Sequence, residues 1–503
     1  MDNKIFRHLP AILAILAIFT GAVTARGQVS FGQSTKFNDG WLFNLDDDPS
    51  FSTVEYSDSA WRSVRLPHDW SIEGIPSPTL ASCTGYLPGG IGWYRKKFTL
   101  NDSQPCHYIY FEGVYNRSEV YLNGHLLGSR PNGYMSFLYD MTPYLQDGEN
   151  VIAVRVDHSR YADSRWYSGS GIYRDVWLVS SQRMHFAQWG VVWSLQSMTD
   201  SKALVKVDVE IAGLEGTPGV FATLSDADGN VVASSKTKAT DSMVSLSLNV
   251  KNPQKWELDS PYLYTLTTEL VSDGEKVDAC ETAVGLRTLT FDPDKGFALN
   301  GVWTKVKGVC IHHDAGVLGS AVPEQVWERR LTELKSMGAN ALRLSHNVQA
   351  PALYDLCDRL GLLVLDEVSD EWEFPKRKWI EGWNQGVPSY DGTADFFEEW
   401  IETDVADMVR RDRNHPCVFL WSIGNEVDYP NDPYSHPILD EASINQPMFG
   451  GYDPAAPDAN RIGDIARRLS PIVRALDSTR PVTGALAGVV MSNETGYAEA
   501  VDV

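Results

Sequence analysis

From about Phe37 to Ser180, apolar and polar residues alternate in short runs separated by turn residues, as in CHYIYFEGVYNRSEVYLNGHLLGS and ENVIAVRVDHS. A period of two puts one face of each strand inside and the other outside, so this stretch predicts an all-β sandwich. Asn123-Gly124 stands between two such runs, and both residue types tolerate positive φ, which predicts a tight hairpin at that point. A second β segment runs from about Gln182 to Arg287, alternating in ALVKVDVEIAG and MVSLSLNV, with a turn at Asp228-Gly229. It has the size of an immunoglobulin-like sandwich. Its acidic residues are scattered, and it reads as a structural spacer.

At about Leu289 the rhythm changes. TKVKGVCIHHD ends a strand, PEQVWERRLTELKSMG is an amphipathic helix closed by Gly338, and NALRLSHN is again a strand. The helix PALYDLCDRLG, the strand LLVLDEVSDEW, a long loop, the helix FFEEWIETDVADMVRRDRN and the strand CVFLWSIGNE follow. ANRIGDIARRLSPIVRALDS is helical, RPVTGAL is a strand, and AEAVDV begins another. Strands alternating with helices predict a parallel sheet covered by helices, and a (β/α)8 TIM barrel is the expected form. Five strands and the start of a sixth fall short of eight, so the barrel is expected to be incomplete. A doubly wound open sheet would fit that count, but the first βα turn, HHDAGVLGSA, lacks the glycine spacing of a dinucleotide fold.

Composition narrows the function classes. A chain of 503 residues with 43% hydrophobic content has material for several cores, and its net charge of -23 disfavours nucleic acid and anionic membrane surfaces as partners. The 16 Trp and 21 Tyr offer flat faces of the kind that stack on sugar rings, although β-rich cores consume such residues equally well. Lys4, Arg7 and His8 precede an apolar run from Ala11 to Phe19, with Val23 and Ala25 near a cleavage point. This pattern predicts a signal peptide over 1–27 and a secreted or periplasmic protein. The six cysteines are scattered without C-x-x-C spacing, which leaves buried thiols or a single Cys83–Cys106 bridge.

In a barrel of this type the reacting groups project from the C-terminal ends of the strands. Those positions hold His312, His313 and Asp314 on the first strand and Arg343, Ser345, His346 and Asn347 on the second. The third supplies Asp366, Glu367, Asp370, Glu371 and Trp372, and the fourth Trp421, Ser422, Asn425 and Glu426. His312, His346 and Glu426 would suit a metal, but no pair among them has H-E-x-x-H spacing and sugar hydroxyls ask for the same donors and acceptors; neither a metal nor a cofactor is expected. Glu426 closes the apolar run VFLWSIG, so its carboxyl should be partly desolvated and held protonated, as a general acid requires.

The stretches LPHDW, GWYRKKF, FEGVYNRSEVYLNG, SRWYSGSGIYRDVWL, KGVCIHHD, LKSMGANALRLSHN, YDLCDRLGLLVLDE and RDRNHPCVFLWSIGNE resemble, in order, those of glycoside hydrolase family 2, the β-galactosidase, β-glucuronidase and β-mannosidase group. The resemblance implies a jelly-roll sugar-binding domain over 28–181, an immunoglobulin-like sandwich over 182–287 and a catalytic barrel over 288–503. It implies a retaining exo-acting β-glycosidase, closest to the β-galactosidase branch, with Glu426 as acid/base and Asn425 as partner of the sugar 2-hydroxyl. His312 and His346 would line the sugar pocket, Asp163 would reach over the barrel mouth, and Arg343 would pair with active-site carboxylates. In this family the nucleophile is a second Glu on the seventh strand; Glu494 and Glu499 precede the sixth and read as surface carboxylates. The chain is therefore expected to stop short of its nucleophile and to be inactive alone. A β-glucuronidase, another β-glycosidase of the family, or a noncatalytic carbohydrate-binding fragment are the alternatives, and a homo-oligomer stays open for a longer form.

Overall fold

The structure is a computed structural model that describes residues 29–441 and 450–503; the signal peptide expected over 1–27 lies outside the described residues. The first domain pairs two antiparallel sheets. One has four strands, in the order Gln33–Lys36, Val176–Ser181, Cys106–Phe111, Phe137–Asp140. The other has six, in the order Arg62–Val64, Trp41–Asn44, Gly90–Thr99, Glu149–His158, Ser118–Leu122, His125–Arg130. Between them lie Trp41, Tyr94, Ile109, Phe111, Ile152 and Val154, all fully buried. Each such side chain contributes about 1.5–3 kcal/mol through burial. The hairpin at Asn123-Gly124 forms as its sequence requires, with φ of 50° and 82°.

In the second domain a three-stranded and a four-stranded antiparallel sheet face each other. Its strand Met243–Lys251 shows the cause plainly: Val244, Leu246, Leu248 and Val250 turn inward while every intervening residue is exposed.

Five parallel strands form the third part: Gly308–Ile311, Ala341–Leu344, Leu363–Glu367, Val418–Ser422 and Val482–Thr483. Helices Glu324–Ser336, Pro351–Leu360, Phe397–Asp412 and Asn460–Leu476 connect them, and Gly361 ends the second of these with a φ of 69°. Two details differ from the sequence reading. A small sheet of Leu289–Asp292, Gly296–Leu299 and Val302–Trp303 precedes the first barrel strand and buries Phe297 and Leu299 in the barrel core. AEAVDV is not a strand from its start: Tyr497–Ala500 is a helical turn, after which the Asp502 and Val503 amides bond the Val482 carbonyl.

The Cys83–Cys106 bridge is absent and all six cysteines are free thiols, Cys310 exposed rather than buried. Cys83 is buried, and its backbone amide helps join two domains by bonding the Trp379 carbonyl of the barrel at 3.0 Å. The parts are joined elsewhere by buried polar contacts. Asp404 of a barrel helix accepts from Arg130 (2.6 Å) and Asn132 (2.7 Å) of the first domain, and the Trp256 indole of the second donates to the Asp358 carbonyl at 2.9 Å. Among the described residues no helix is long and apolar enough to cross a membrane.

Candidate active site

Parallel register aligns the strand ends that carry the candidate residues. Ile311 lies beside Leu344, so His312 and His346 emerge side by side with ring centroids 5.5 Å apart. Glu367 pairs in register with Ser422. Beyond Ser422 the chain threads between flanking loops: the Ile423 amide bonds Thr483, Asn425 bonds Ser369, and Glu426 bonds Ala485. Trp372 lies so close to Gly424 that a Cβ there would sit 2.8 Å from its indole nitrogen, which explains a glycine just before Asn425 and Glu426. Glu426 itself takes a left-handed φ of 45°, a conformation that side chains adopt at a cost.

Three layers of charge surround that turn. Glu367 is fully buried and binds Arg343 Nη2 (3.0 Å), His346 Nδ1 (2.8 Å) and Ser422 Oγ (2.8 Å). Asp370 takes Arg165 Nη2 (2.8 Å), Lys376 Nζ (3.2 Å) and Asn425 Nδ2 (2.6 Å). Burial alone would raise Asp370, but the Arg165 and Lys376 cations outweigh it and hold the carboxyl well below its usual range. Glu371 pairs with Lys378 at 2.6 Å. The Glu426 carboxyl is half-buried and, among the described residues, is held by no hydrogen bond or ion pair. It lies in the field of Arg165, Arg343 and Lys376, each of which it favours in the charged form. The site thus combines a free carboxyl with neighbours that are locked.

Histidine chemistry is set by the same packing. Burial, then His346 and His313 nearby, push His312 down to about 4, so it is a neutral imidazole near pH 7. His346 gives Nδ1 to Glu367, and the Trp166 ring stands 5.1 Å from His312 and 5.4 Å from His346. Asn425 is fully buried with both ends of its amide engaged, by Arg343 and Asp370, and so sits behind Glu426 rather than open at the rim.

The first-domain loop does come to the barrel mouth, where Asp163 and Trp166 line a narrow cleft with His346, Asp370 and Glu371. Asp163 is 4% exposed, and its carboxyl accepts from Tyr115 (2.7 Å) and Ser168 (3.2 Å) and pairs with His158 at 3.3 Å. Burial would raise it, and the His158 and Tyr115 contacts lower it below the ordinary range. Arg165 and Trp166, two and three residues on, are the ones that meet Asp370 and the histidines. The stretch SRWYSGSGIYR contains both residues but does not mark which way they project. If Asp163 organises the loop, Asp163→Asn will lower stability by about 1–3 kcal/mol through disrupted buried bonds. A thermal melt checks this; an unchanged melting temperature together with a raised KM would instead identify a direct sugar contact.

Ligand-type atoms also converge at the other end of the fourth strand, where Asp358, His415 and Cys417 lie within 4.8 Å of one another. These groups satisfy each other, Asp358 binding His415 Nδ1 at 2.6 Å and the Cys417 amide at 2.9 Å.

Comparison with known proteins fits this geometry. Residues 35–182 match the sugar binding domain of glycosyl hydrolases family 2, residues 184–287 match a second model of that family, and residues 293–495 match its TIM barrel domain. The chain is 42% identical over 483 residues to the beta-galactosidase BoGH2A of Bacteroides ovatus, covering 92% of this chain and 55% of that protein. A putative beta-glucuronidase of Formosa agariphila is 40% identical over 397 residues, covering 78% and 37%. A crystal structure of a glycosyl hydrolase family 2 member from Bacteroides cellulosilyticus superposes with a TM-score of 0.81 at 34% identity, covering 94% of this chain and 58% of that one. A Bacteroides uniformis beta-glucuronidase gives 0.77 at 26% identity, covering 94% and 54%. The chain spans about half the length of the first of these curated relatives and less of the second.

Proposed function

The chain belongs to glycosyl hydrolase family 2, and from that premise we propose that the protein is a retaining exo-acting β-glycosidase that removes terminal β-linked sugars, with Glu426 as its acid/base. The observation that carries this reading is the Glu426 carboxyl, half-buried at the tip of the fourth strand and free, while Glu367, Asp370 and Glu371 around it are locked by cations. A free, partly desolvated carboxyl can give its proton to a leaving oxygen and then take one from water. Its locked neighbours hold Arg343, Asn425 and His346 in place. Neutral His312, with the His346 ring and the Trp166 face beside it, suits a sugar ring with hydroxyls on its edge.

Retention needs a second carboxylate about 5 to 5.5 Å away across the scissile bond. Glu367 and Asp370 are committed to Arg343, Arg165 and Lys376, so neither is free to attack carbon. The nucleophile is therefore a carboxylate other than these. The 503-residue chain is expected to release no p-nitrophenol from p-nitrophenyl β-galactoside, and sustained turnover by that purified chain would overturn this part of the reading.

Galactose is the first sugar proposed, because the relative covering 92% of the chain is named a beta-galactosidase. Relatives named beta-glucuronidases support glucuronic acid as the second. A catalytically competent form assayed on p-nitrophenyl β-galactoside, β-glucuronide, β-glucoside and β-mannoside decides between them: the galactoside should give the highest kcat/KM, and a tenfold preference for any other sugar sinks the choice. We also propose that the protein is exported by its 1–27 segment, on the strength of the charge and hydropathy pattern alone.

A further inference from the structure

Beside the rim, a second feature joins the first domain to the barrel. Residues 377–388 of the long barrel loop form a narrow hairpin, closed by bridges between Arg377 and Pro388 and between Gly382 and Gln385. At its tip Trp383 is 78% exposed, and its ring meets Trp379 edge-on at 6.2 Å. The first-domain segment around Ser82 is bonded along this hairpin: the Ser82 amide donates to the Ile380 carbonyl at 2.9 Å and the Ser82 hydroxyl to the Trp379 carbonyl at 3.2 Å. Between the two runs lies a groove of about 620 Å3, walled by Pro76, Pro78, Leu80, Tyr86, Ile380 and Glu381.

Exposed apolar groups scattered singly are ordinary on a protein surface, but here they cluster. Tyr86 (40% exposed) lines the groove, and Trp383 stands at the hairpin tip two residues beyond Glu381 of its wall, on loops fixed to each other by backbone bonds. The same barrel loop begins at the rim, where Lys376 and Lys378 hold Asp370 and Glu371. Only two residues separate Lys378 from Glu381 in the groove wall. Rim and groove are consecutive parts of one loop.

We propose that this groove is a binding site for the aglycone side of a neutral polysaccharide whose terminal sugar lies at Glu426. This deepens the glycosidase reading and rests on it for the direction of the chain. The aromatic face of Tyr86 in the groove wall, with Trp383 exposed at the adjoining hairpin tip, supplies flat apolar surface on which the C–H faces of sugar rings lie, and the volume exceeds what a single ring fills. Charge selects against an acidic polymer, since the charged side chain in the wall is Glu381 and the whole chain carries -23. Rigid clamping by the Ser82 and Cys83 bonds means that little order need be created on binding.

Affinity gel electrophoresis of the 503-residue chain tests this, with β-1,4-galactan in the gel and polygalacturonate as the acidic comparison. Galactan is expected to retard the chain and polygalacturonate is not. Trp383→Ala and Tyr86→Ala, both at exposed positions where folding is not at stake, should each weaken the galactan affinity about tenfold. Tyr144→Ala, an exposed tyrosine of the first domain away from the groove wall, should leave it unchanged. Glu426→Gln should still be retarded, which separates this outcome from the fate of the acid/base assignment. An unretarded parent chain, or retardation indifferent to both groove substitutions, overturns the proposal. So does a concentration-dependent dimer that Trp383→Ala dissolves without any galactan effect, because the face would then serve self-association.

Discussion

Glu426→Gln will lower kcat by about 10²- to 10⁴-fold for a β-glycoside whose aglycone is a poor leaving group, in any catalytically competent form of the protein. That is about 3–5 kcal/mol of barrier. The amide keeps the shape of the carboxyl and cannot transfer a proton. A substrate whose aglycone departs without help, such as a dinitrophenyl glycoside, should form the glycosyl-enzyme almost as fast as before and then stall, because the same carboxyl must activate water in the second step. Azide, a nucleophile that needs no base, should restart turnover and yield the β-glycosyl azide. The alkaline limb of the pH profile should vanish with the carboxyl. A nucleophile would behave differently, since its loss slows every substrate regardless of leaving group. Equal losses for good and poor leaving groups, with no azide product, would remove Glu426 from the acid/base role.

Much of this site is legible in the sequence because it depends on local pattern. An apolar run such as VFLWSIG must be a buried strand, and whatever follows it must emerge at a rim, which places Asn425 and Glu426 without regard to their partners. The pairing of Arg343 with a carboxylate rests instead on the family resemblance, and the Glu367 bonds give its physical reason, since an unpaired cation on a buried strand would be costly. Contacts made across domains are not legible. Nothing near Asp163 in the chain says that Tyr115 and His158 will surround it, so its burial cannot be read there, nor the projection of Arg165 and Trp166 beside it. The locking of Glu371 by Lys378 depends on how a long loop folds back, and loops carry little periodic signal. The small sheet at Leu289–Trp303 escapes because strands of two to four residues are too short to show alternation.

Raising the pH from 6.5 to 9 will remove about 5 kcal/mol of stabilisation supplied by two groups that hold protons longer when folded, offset in part by Lys96, whose ammonium burial pushes down to about 8. Burial pushes the His415 imidazole down, but Asp358 at 2.6 Å from Nδ1, with Asp355 and Asp412 beyond, raises it from 6.5 to about 9. The folded chain therefore keeps a proton that the unfolded chain gives up near pH 6.5. The resulting stabilisation is whole below pH 6.5 and gone above about 9, and amounts to about 3 kcal/mol; the side chain is only 12% exposed, so solvent screens it little. Glu112 acts in the same direction for the opposite reason. Burial, then the Asp175 carboxylate, push it up from 4.5 to about 8, against Trp177, Arg174 and Lys36, so its ionisation is easier in the unfolded chain and stability falls through that window. The part of that window above pH 6.5 adds about 2 kcal/mol. Calorimetric melts at pH 6.5, 8 and 9 should show transitions moving steadily downward, and a protein of several domains should divide the effect between transitions. His415→Gln should flatten the pH dependence of the transition that melts the barrel, and Glu112→Gln that of the first domain. Melting temperatures that stay level between pH 6.5 and 9 would mean that neither group carries its proton into the folded state.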